Sequence, residues 1–416
     1  MERGVGLVGL AILIGIAFSA STNRSAIRWR TIAIAFAAQW GIALIALHTS
    51  IGVRLFQIAT NAAVGFLSAA NSGIDFVFGT WPSSVMGPEG EVVSLPFVFA
   101  TRVLPILIFM SSVFQILYHW GILQRLVGAL ARALRSILPL SGAESLAVIG
   151  NIFVGMTEAP LMVRPYVQGM TRSELFCVMT AGLATIAGTV LIAYMSLVGP
   201  EYASHLIAAS FMAAPAAVAF SKILIPETER PATLETTAQI EITRSSNSID
   251  AAASGALDGL RLALNIGALL IAFVALIYLL DAGLAAVFGL FGGEKMSFGR
   301  LFGLLLSPLA LLLGVPAAES VAVGELLGFK TMVNEFLAYQ MLSSQLESLS
   351  PKSLVIASYA LCGFANFGSL AILLGGLGGI APERRPDIAR DGLRAILAGS
   401  LATFSSGAIA GILLTG

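Results

Sequence analysis

The sequence predicts an all-α polytopic membrane protein with eight transmembrane helices and two re-entrant helical hairpins, arranged as inverted repeats. Three observations predict it. Of the residues, 57% are hydrophobic and 11% charged, with a mean hydropathy of +0.90, far from the roughly 25% charged of a soluble domain. Apolar windows close to the length that crosses a bilayer recur near 5–20, 31–48, 97–118, 175–198, 204–225, 262–290 and 391–414. Two further apolar stretches are broken by Gly, Pro, Asn and Glu, residues that an ordinary span avoids.

The first run, VGLVGLAILIGIAFSA at 5–20, ends in small residues as a signal peptide does. Met1-Glu2-Arg3 has no net positive side-chain charge, so the run reads as a retained span. Arg24, Arg28 and Arg30 follow it; short cytoplasmic loops concentrate basic residues, which puts the N-terminus on the periplasmic side. Residues 54–80 carry Gln57, Asn61, Ser68, Asn71 and Asp75 on an apolar background and read as an amphipathic helix at the interface. Residues 121–137, with Arg125, Arg132 and Arg135, read the same way.

Residues 143–170 are interrupted by Gly150, Asn151, Gly155, Thr157, Glu158 and Pro160. Residues 301–342 are interrupted by Pro308, Gly314, Pro316, Gly324, Gly328, Lys330, Asn334 and Glu335. Non-helical backbone survives at membrane depth only where protein or a wet cavity satisfies its polar groups, so each stretch reads as a re-entrant hairpin with a polar tip. Each is followed by a span broken midway, at Thr185, Ala187, Gly188 and Thr189 in the first case and at Gly363, Asn366, Gly368 and Ser369 in the second. The expected organisation is 1–142 scaffold spans and interfacial helices, 143–225 first repeat, 226–258 cytoplasmic linker, 259–300 scaffold span and 301–416 second repeat. A hairpin adds no crossing, so an odd number of spans separates the two copies and the second is inverted. Inverted repeats with discontinuous helices meeting at the midplane describe a secondary transporter.

Several chemistries are excluded. Net charge is zero and no basic tract exists, so nucleic acid is not a partner. His48, His119 and His205 are scattered, there is no H-E-x-x-H, Walker A or G-x-S-x-G motif, and GLGGIA at 376–381 lacks a βαβ context. Cys177 and Cys362 lie in apolar segments and read as buried free thiols.

Glu158 and Glu335 stand out. A carboxylate at the bilayer centre costs at least about 2.5 kcal/mol on insertion scales. Each either pins its hairpin, Glu158 through Arg164 and Glu335 through Lys330, or marks a ligand site; recurrence at matching positions favours the site. Carboxylates accept hydrogen bonds, and Thr157, Asn334, Asn366 and Ser369 add neutral groups, a set suited to a hydroxyl-rich solute rather than an anion. Phe364 either stacks on a flat ring or simply packs. Asn151 and Thr185 suit a small hard cation, or make an ordinary interhelical hydrogen bond worth about 0.6 kcal/mol, which spacing alone favours. Two rivals share these residues: an intramembrane enzyme using Glu158 and Glu335 as acid and base on a lipid-linked sugar, and a transporter of another polyol or amino sugar. Catalysis has no need of two mirrored hairpins, so the chain does not read as an enzyme.

GNIFVGMTEAPLMVRPY, SKILIPETE, NEFLAY and CGFANFGSLAILLGGLGGIAP, in this order, resemble the concentrative nucleoside transporters, in particular the shorter bacterial members with eight spans. The resemblance runs from about residue 97 to the C-terminus. It implies a homotrimer in the inner membrane, each protomer pairing a scaffold with a transport domain that moves like an elevator through the lipid bilayer. Nucleoside uptake would be coupled to Na+, in some members to H+, with no organic cofactor. By resemblance Thr157 and Glu158 contact the base, Val190 lines its pocket, and Glu335 binds the ribose with Asn366 and Ser369, with Phe364 beside them. The cation would be held by the side chains of Asn151 and Thr185 and the carbonyls of Val154 and Ile186, which reverses the reading from spacing. Met156 stands where many relatives have Gln; a thioether is only a weak acceptor, and losing one neutral hydrogen bond to the base costs roughly 0.5–1.5 kcal/mol.

Overall fold

The computed structural model describes residues 2–80, 84–86, 92–94, 98–234, 245–290 and 296–414. The chain opens with α1 (Glu2–Ser19), α2 (Trp29–His48) and α3 (Ser50–Phe78), then a small antiparallel ribbon, β1 (Ser84–Met86) paired with β2 (Val92–Ser94). Next come α4 (Phe99–Arg102), α5 (Leu104–His119) and α6 (Ile122–Ile137). In α6 the buried residues Leu123, Val127 and Ala131 recur every four positions while Arg125 and Arg132 stay exposed, the pattern of an amphipathic helix.

The first repeat follows as α7 (Gly142–Phe153), α8 (Ala159–Met162), α9 (Arg164–Val167), α10 (Arg172–Ala184), α11 (Gly188–Val198) and α12 (Ala203–Leu224). After α13 (Ser248–Leu290) and α14 (Phe298–Leu312) the second repeat is built from α15 (Ser320–Met332), α16 (Glu335–Ser343), α17 (Pro351–Leu361), α18 (Phe367–Ile380) and α19 (Arg385–Leu413). Seven stretches among the described residues are long and apolar enough to cross a membrane. Of these, Ser50–Phe78 has the lowest mean hydropathy, 1.2, in keeping with an interfacial reading. The shorter α1 and the α17–α18 pair complete the eight spans once α3 is set aside.

Burial divides these stretches into two classes. Arg172–Val198, Pro200–Leu224 and Pro382–Leu413 are 83–89% buried, whereas Trp29–His48, Ser50–Phe78, Phe99–His119 and Ser248–Phe288 are 11–33% buried. The long helices of the two repeats thus form an inner core, and the other long helices an outer layer with many exposed apolar side chains.

Local chemistry sets the helix starts. α7 and α10 each begin with a reciprocal capping box, Ser141 with Glu144 and Thr171 with Glu174. Lys222 joins the two starts: its Nζ lies 2.6 Å from Glu144 Oε1 and donates to Ser173 Oγ at 3.0 Å. Arg172 forks onto Asp391 at 2.6 and 2.8 Å, pinning α10 to α19 in the bidentate geometry that guanidinium favours.

Two boundaries differ from the sequence expectation. α13 begins at Ser248, inside the stretch read as linker, because Asn247 Oδ1 accepts from the backbone of Ile249 and Asp250, both at 2.9 Å. Residues 235–244 of that linker lie outside the described residues. The second hairpin is shorter than 301–342: residues 298–312 form the separate helix α14, closed by Gly314 at φ +97°. Gly324 and Gly328 are not breaks either. They lie inside α15, where a Cβ would meet Gly303 O at 2.6 Å and Phe302 Cβ at 2.5 Å, so they let α14 and α15 pack backbone to backbone.

Candidate functional site

The second hairpin turns at Val333–Asn334, and Asn334 caps α16 by accepting from Leu337 N at 2.9 Å. That cap makes Glu335 the first helical residue, with its carboxylate near the positive end of α16. Glu335 is 4% exposed. Its Oε1 accepts from Tyr194 Oη at 3.0 Å and its Oε2 from Asn366 Nδ2 at 2.7 Å. Asn366 sits at the break between α17 and α18 and caps α18, its Oδ1 accepting from Ser369 N at 2.7 Å. Both ends of the Asn366 amide are therefore committed, and the carboxylate is held by two different repeats.

Tyr194 was not among the residues singled out from the sequence. It is fully buried, stacks on Tyr339 with ring centroids 4.4 Å apart, and meets Phe336 edge-on at 4.7 Å. The signal was there: a tyrosine hydroxyl in the apolar run LIAYMSL, which once buried needs a hydrogen-bond partner. Val190 lies four residues earlier on α11, hence on the same face one turn away, and is 3% exposed. Phe364 and Ser369 are buried at the α17–α18 break, and the hydrogen bonds of Lys330 run elsewhere than to Glu335. Lys330 Nζ donates instead to Ala360 O at 3.1 Å and Thr403 Oγ1 at 2.7 Å.

The first hairpin turns at Gly155, whose φ of +92° favours glycine. A Cβ there would lie 2.9 Å from Ala187 Cβ and 3.3 Å from Glu158 Oε2, so the tip rests on the α10–α11 break. Met156 is buried against Gly182 of α10. Thr157 Oγ1 donates to Glu158 Oε2 at 2.8 Å, and Thr157 packs on Gly376 of α18. Glu158 differs from Glu335 in being exposed. Among the described residues it makes no ion pair with Arg164, which is itself exposed.

Asn151 is fully buried in α7. Its Nδ2 donates to Ala147 O at 2.8 Å, which fixes the amide and leaves Oδ1 with no hydrogen-bond partner, 3.4 Å from where a Cβ on Gly182 would be. An unpaired buried acceptor costs about 1–3 kcal/mol, so one in a native core calls for an occupant. Nearby, α10 ends at Thr185, which is buried and donates to Ala181 O at 2.8 Å. The chain stays extended through Ala187, freeing carbonyls at the break, and Ser210 Oγ reaches Ile186 O at 3.5 Å. Val154 ends α7 just beyond Asn151. Neutral oxygens at the C-terminal ends of two half-helices are a donor set of the kind that suits Na+.

Residues 205–411 match the family described as Na+ dependent nucleoside transporter C-terminus, residues 8–81 the corresponding N-terminus, and residues 100–201 a region described as nucleoside recognition. The nucleoside permease NupC of Helicobacter pylori is 40% identical, the alignment covering 98% of this chain and 97% of the permease. Solute carrier family 28 member 3 of Homo sapiens is 38% identical over 99% of this chain and 60% of its own length. Among solved structures, CNTnw in an inward-facing substrate-bound state superposes with a TM-score of 0.91 at 43% identity, covering 99% of this chain and 98% of that one. An outward-facing state of CNTnw gives 0.90 at 42%, covering 99% and 98%. With matches running nearly end to end and a fold shared throughout, the chain belongs to the family of Na+-dependent nucleoside transporters.

Proposed function

We propose that the protein imports nucleosides by symport with Na+, and that the buried Glu335 carboxylate, held by Tyr194 and Asn366, is the ribose anchor. The two carboxylate oxygens accept from Tyr194 and Asn366, and a carboxylate offers about four lone-pair sites, which leaves acceptor capacity for a substrate hydroxyl. Ribose offers two adjacent hydroxyls, and Ser369 adds a third polar group at the start of α18. Thr157 meets α18 at Gly376, seven residues beyond Ser369 and so roughly 10 Å along the helix axis. That separation suits a nucleoside lying along α18, ribose at Glu335, Asn366 and Ser369 and base at Met156, Thr157 and Glu158. Val190, one turn from Tyr194, and Phe364 supply apolar cover.

The coupling ion belongs at Asn151 and Thr185, with the carbonyls of Val154 and Ile186. Asn151 lies on the arm that leads to Gly155, and Gly155 rests on the break that holds Thr185 and Ile186. An ion bridging arm and break would fix the tip that meets the base, so each ligand raises the affinity for the other by the same factor.

The assembly we propose is a homotrimer in the inner membrane with a periplasmic N-terminus and an elevator-like core. Supporting the orientation, the loop after α1 and the loop after α12 lie on one side: Thr22 N donates to Leu224 O at 2.8 Å. Arg28, Lys222 and Arg230 line one cavity of about 210 Å³ there with Glu144, Glu227 and Glu229, and basic loops mark the cytoplasmic side.

Uptake of labelled uridine and adenosine into proteoliposomes, with and without an inward Na+ gradient, tests the reading. Accumulation should require the gradient. Equal rates in both conditions would refute sodium coupling, and a response to a pH gradient alone would assign the role to protons.

A further inference from the structure

The two repeats treat the same structural position differently. In the first, Asn151 is the third residue from the end of α7, and its orphaned Oδ1 faces the C-terminal end of α10. In the second, the third residue from the end of α15 is Lys330, which reaches the C-terminal end of α17 through Ala360 O. The closing helix of each repeat adds a hydroxyl: Ser210 of α12 on Ile186 O in the first, Thr403 of α19 on Lys330 in the second. Thr403 donates its own proton to Ser400 O at 3.0 Å, so towards Lys330 it is an acceptor.

Lys330 is fully buried, and everything found around its Nζ accepts: a carbonyl, a hydroxyl oxygen and the Phe404 ring, whose centroid is 5.0 Å away. Two helix C-termini converge on it, each carrying partial negative charge. Where the first repeat gathers oxygens and leaves one unpaired, the second gathers the same kinds of group around the Lys330 amine.

We propose that Lys330 is a tethered cation occupying the mirror image of the coupling-ion site, so that only the first hairpin depends on an ion from solution and one Na+ moves with each nucleoside. This rests on the assignment of Na+ to Asn151 and Thr185. The ammonium keeps the second hairpin arm against the α17–α18 break in both loaded and empty carrier, and because it never leaves the core its charge returns on every cycle. Net charge movement then comes from the dissolved ion alone.

The decisive variant is Lys330→Asn, which places in the second repeat the amide that the first carries at Asn151, with Cys362 ending α17 where Thr185 ends α10. In purified protein, nucleoside binding measured against Na+ concentration should steepen from a Hill slope of about one in the parent to about two in the variant, with tighter binding only at high Na+. A folded, monodisperse Lys330→Asn protein with an unchanged slope overturns the proposal while leaving the Asn151 site intact. A parent protein with no Na+ response defeats the site assignment itself. If the variant does not fold, the parent still decides: the charge moved per uridine, from reversal potentials in proteoliposomes, should be about one, and a value of about two overturns the inference.

Discussion

Glu335 and Glu158 look equivalent in the sequence, each a glutamate beside a hairpin break, yet their surroundings set them apart. Glu335 has both oxygens committed to donors from two different elements, while Glu158 is exposed and its carboxylate accepts from its own neighbour, Thr157. Removing a fixed donor from a buried carboxylate should therefore show in ligand affinity. Tyr194→Phe keeps the ring stack on Tyr339 and deletes only the hydroxyl; nucleoside affinity at saturating Na+ should fall about fivefold, for a net hydrogen bond of about 1 kcal/mol, as calorimetric titration would record. Asn151→Ala tests the proposed ion site and should behave differently: apparent nucleoside affinity drops at low Na+ and recovers at high Na+. A drop that persists at every Na+ concentration would place Asn151 in the substrate site instead.

Each repeat uses one device twice, a helix ended early: α7 and α10 in the first, α15 and α17 in the second. Caps decide where the next half begins: Asn334 sets Glu335 at the head of α16, and Asn366 sets Ser369 in the first turn of α18. At the first tip the equivalent control is Gly155. Gly155→Ala puts a methyl 2.9 Å from Ala187 Cβ at a φ of +92°, both unfavourable. The left-handed backbone alone costs about 1–2 kcal/mol for a non-glycine residue, so the variant should show a lower melting temperature and slower Na+-driven uptake, measured together. Normal uptake with an unchanged melting temperature would mean that the tip does not rest on that break. The glycines of α15 serve close packing against α14, and it is α14 itself, apolar and packed on the hairpin, that a reading of the sequence folds into it.

Across the molecule, the buried repeats and the outward-facing helices α2, α3, α5 and α13 form two classes, in keeping with a core that moves against a scaffold. The start of the second repeat is tied by Glu319, which accepts from Ser350 N at 3.2 Å and from Ser350 Oγ at 2.8 Å across the hairpin. Partial burial pushes this carboxyl up, but hydrogen bonds from Ser353 and Ser350 outweigh it and hold it below the usual glutamate range. A depressed folded-state pKa contributes stability above the unfolded value, and that contribution is lost as pH falls through the folded one. Acidification below the ordinary glutamate range should accordingly lower the melting temperature of the parent more than that of Glu319→Gln; parallel curves would show that the contact carries no such linkage.

Composition and run length alone determined that the chain is a helical membrane protein, because a bilayer demands satisfied backbone and about 20 apolar residues per crossing whatever the tertiary arrangement. The two broken regions were legible for the same reason, since polar residues at that depth require company. The partner of each polar group was not legible. Tyr194 reaches Glu335 across 141 positions of sequence, and Lys330 turns from the nearby Glu335 to Ala360 and Thr403. Spacing along one helix fixes which residues share a face, but which face meets which across inverted repeats is set by packing between distant segments, and only the tertiary structure decided that.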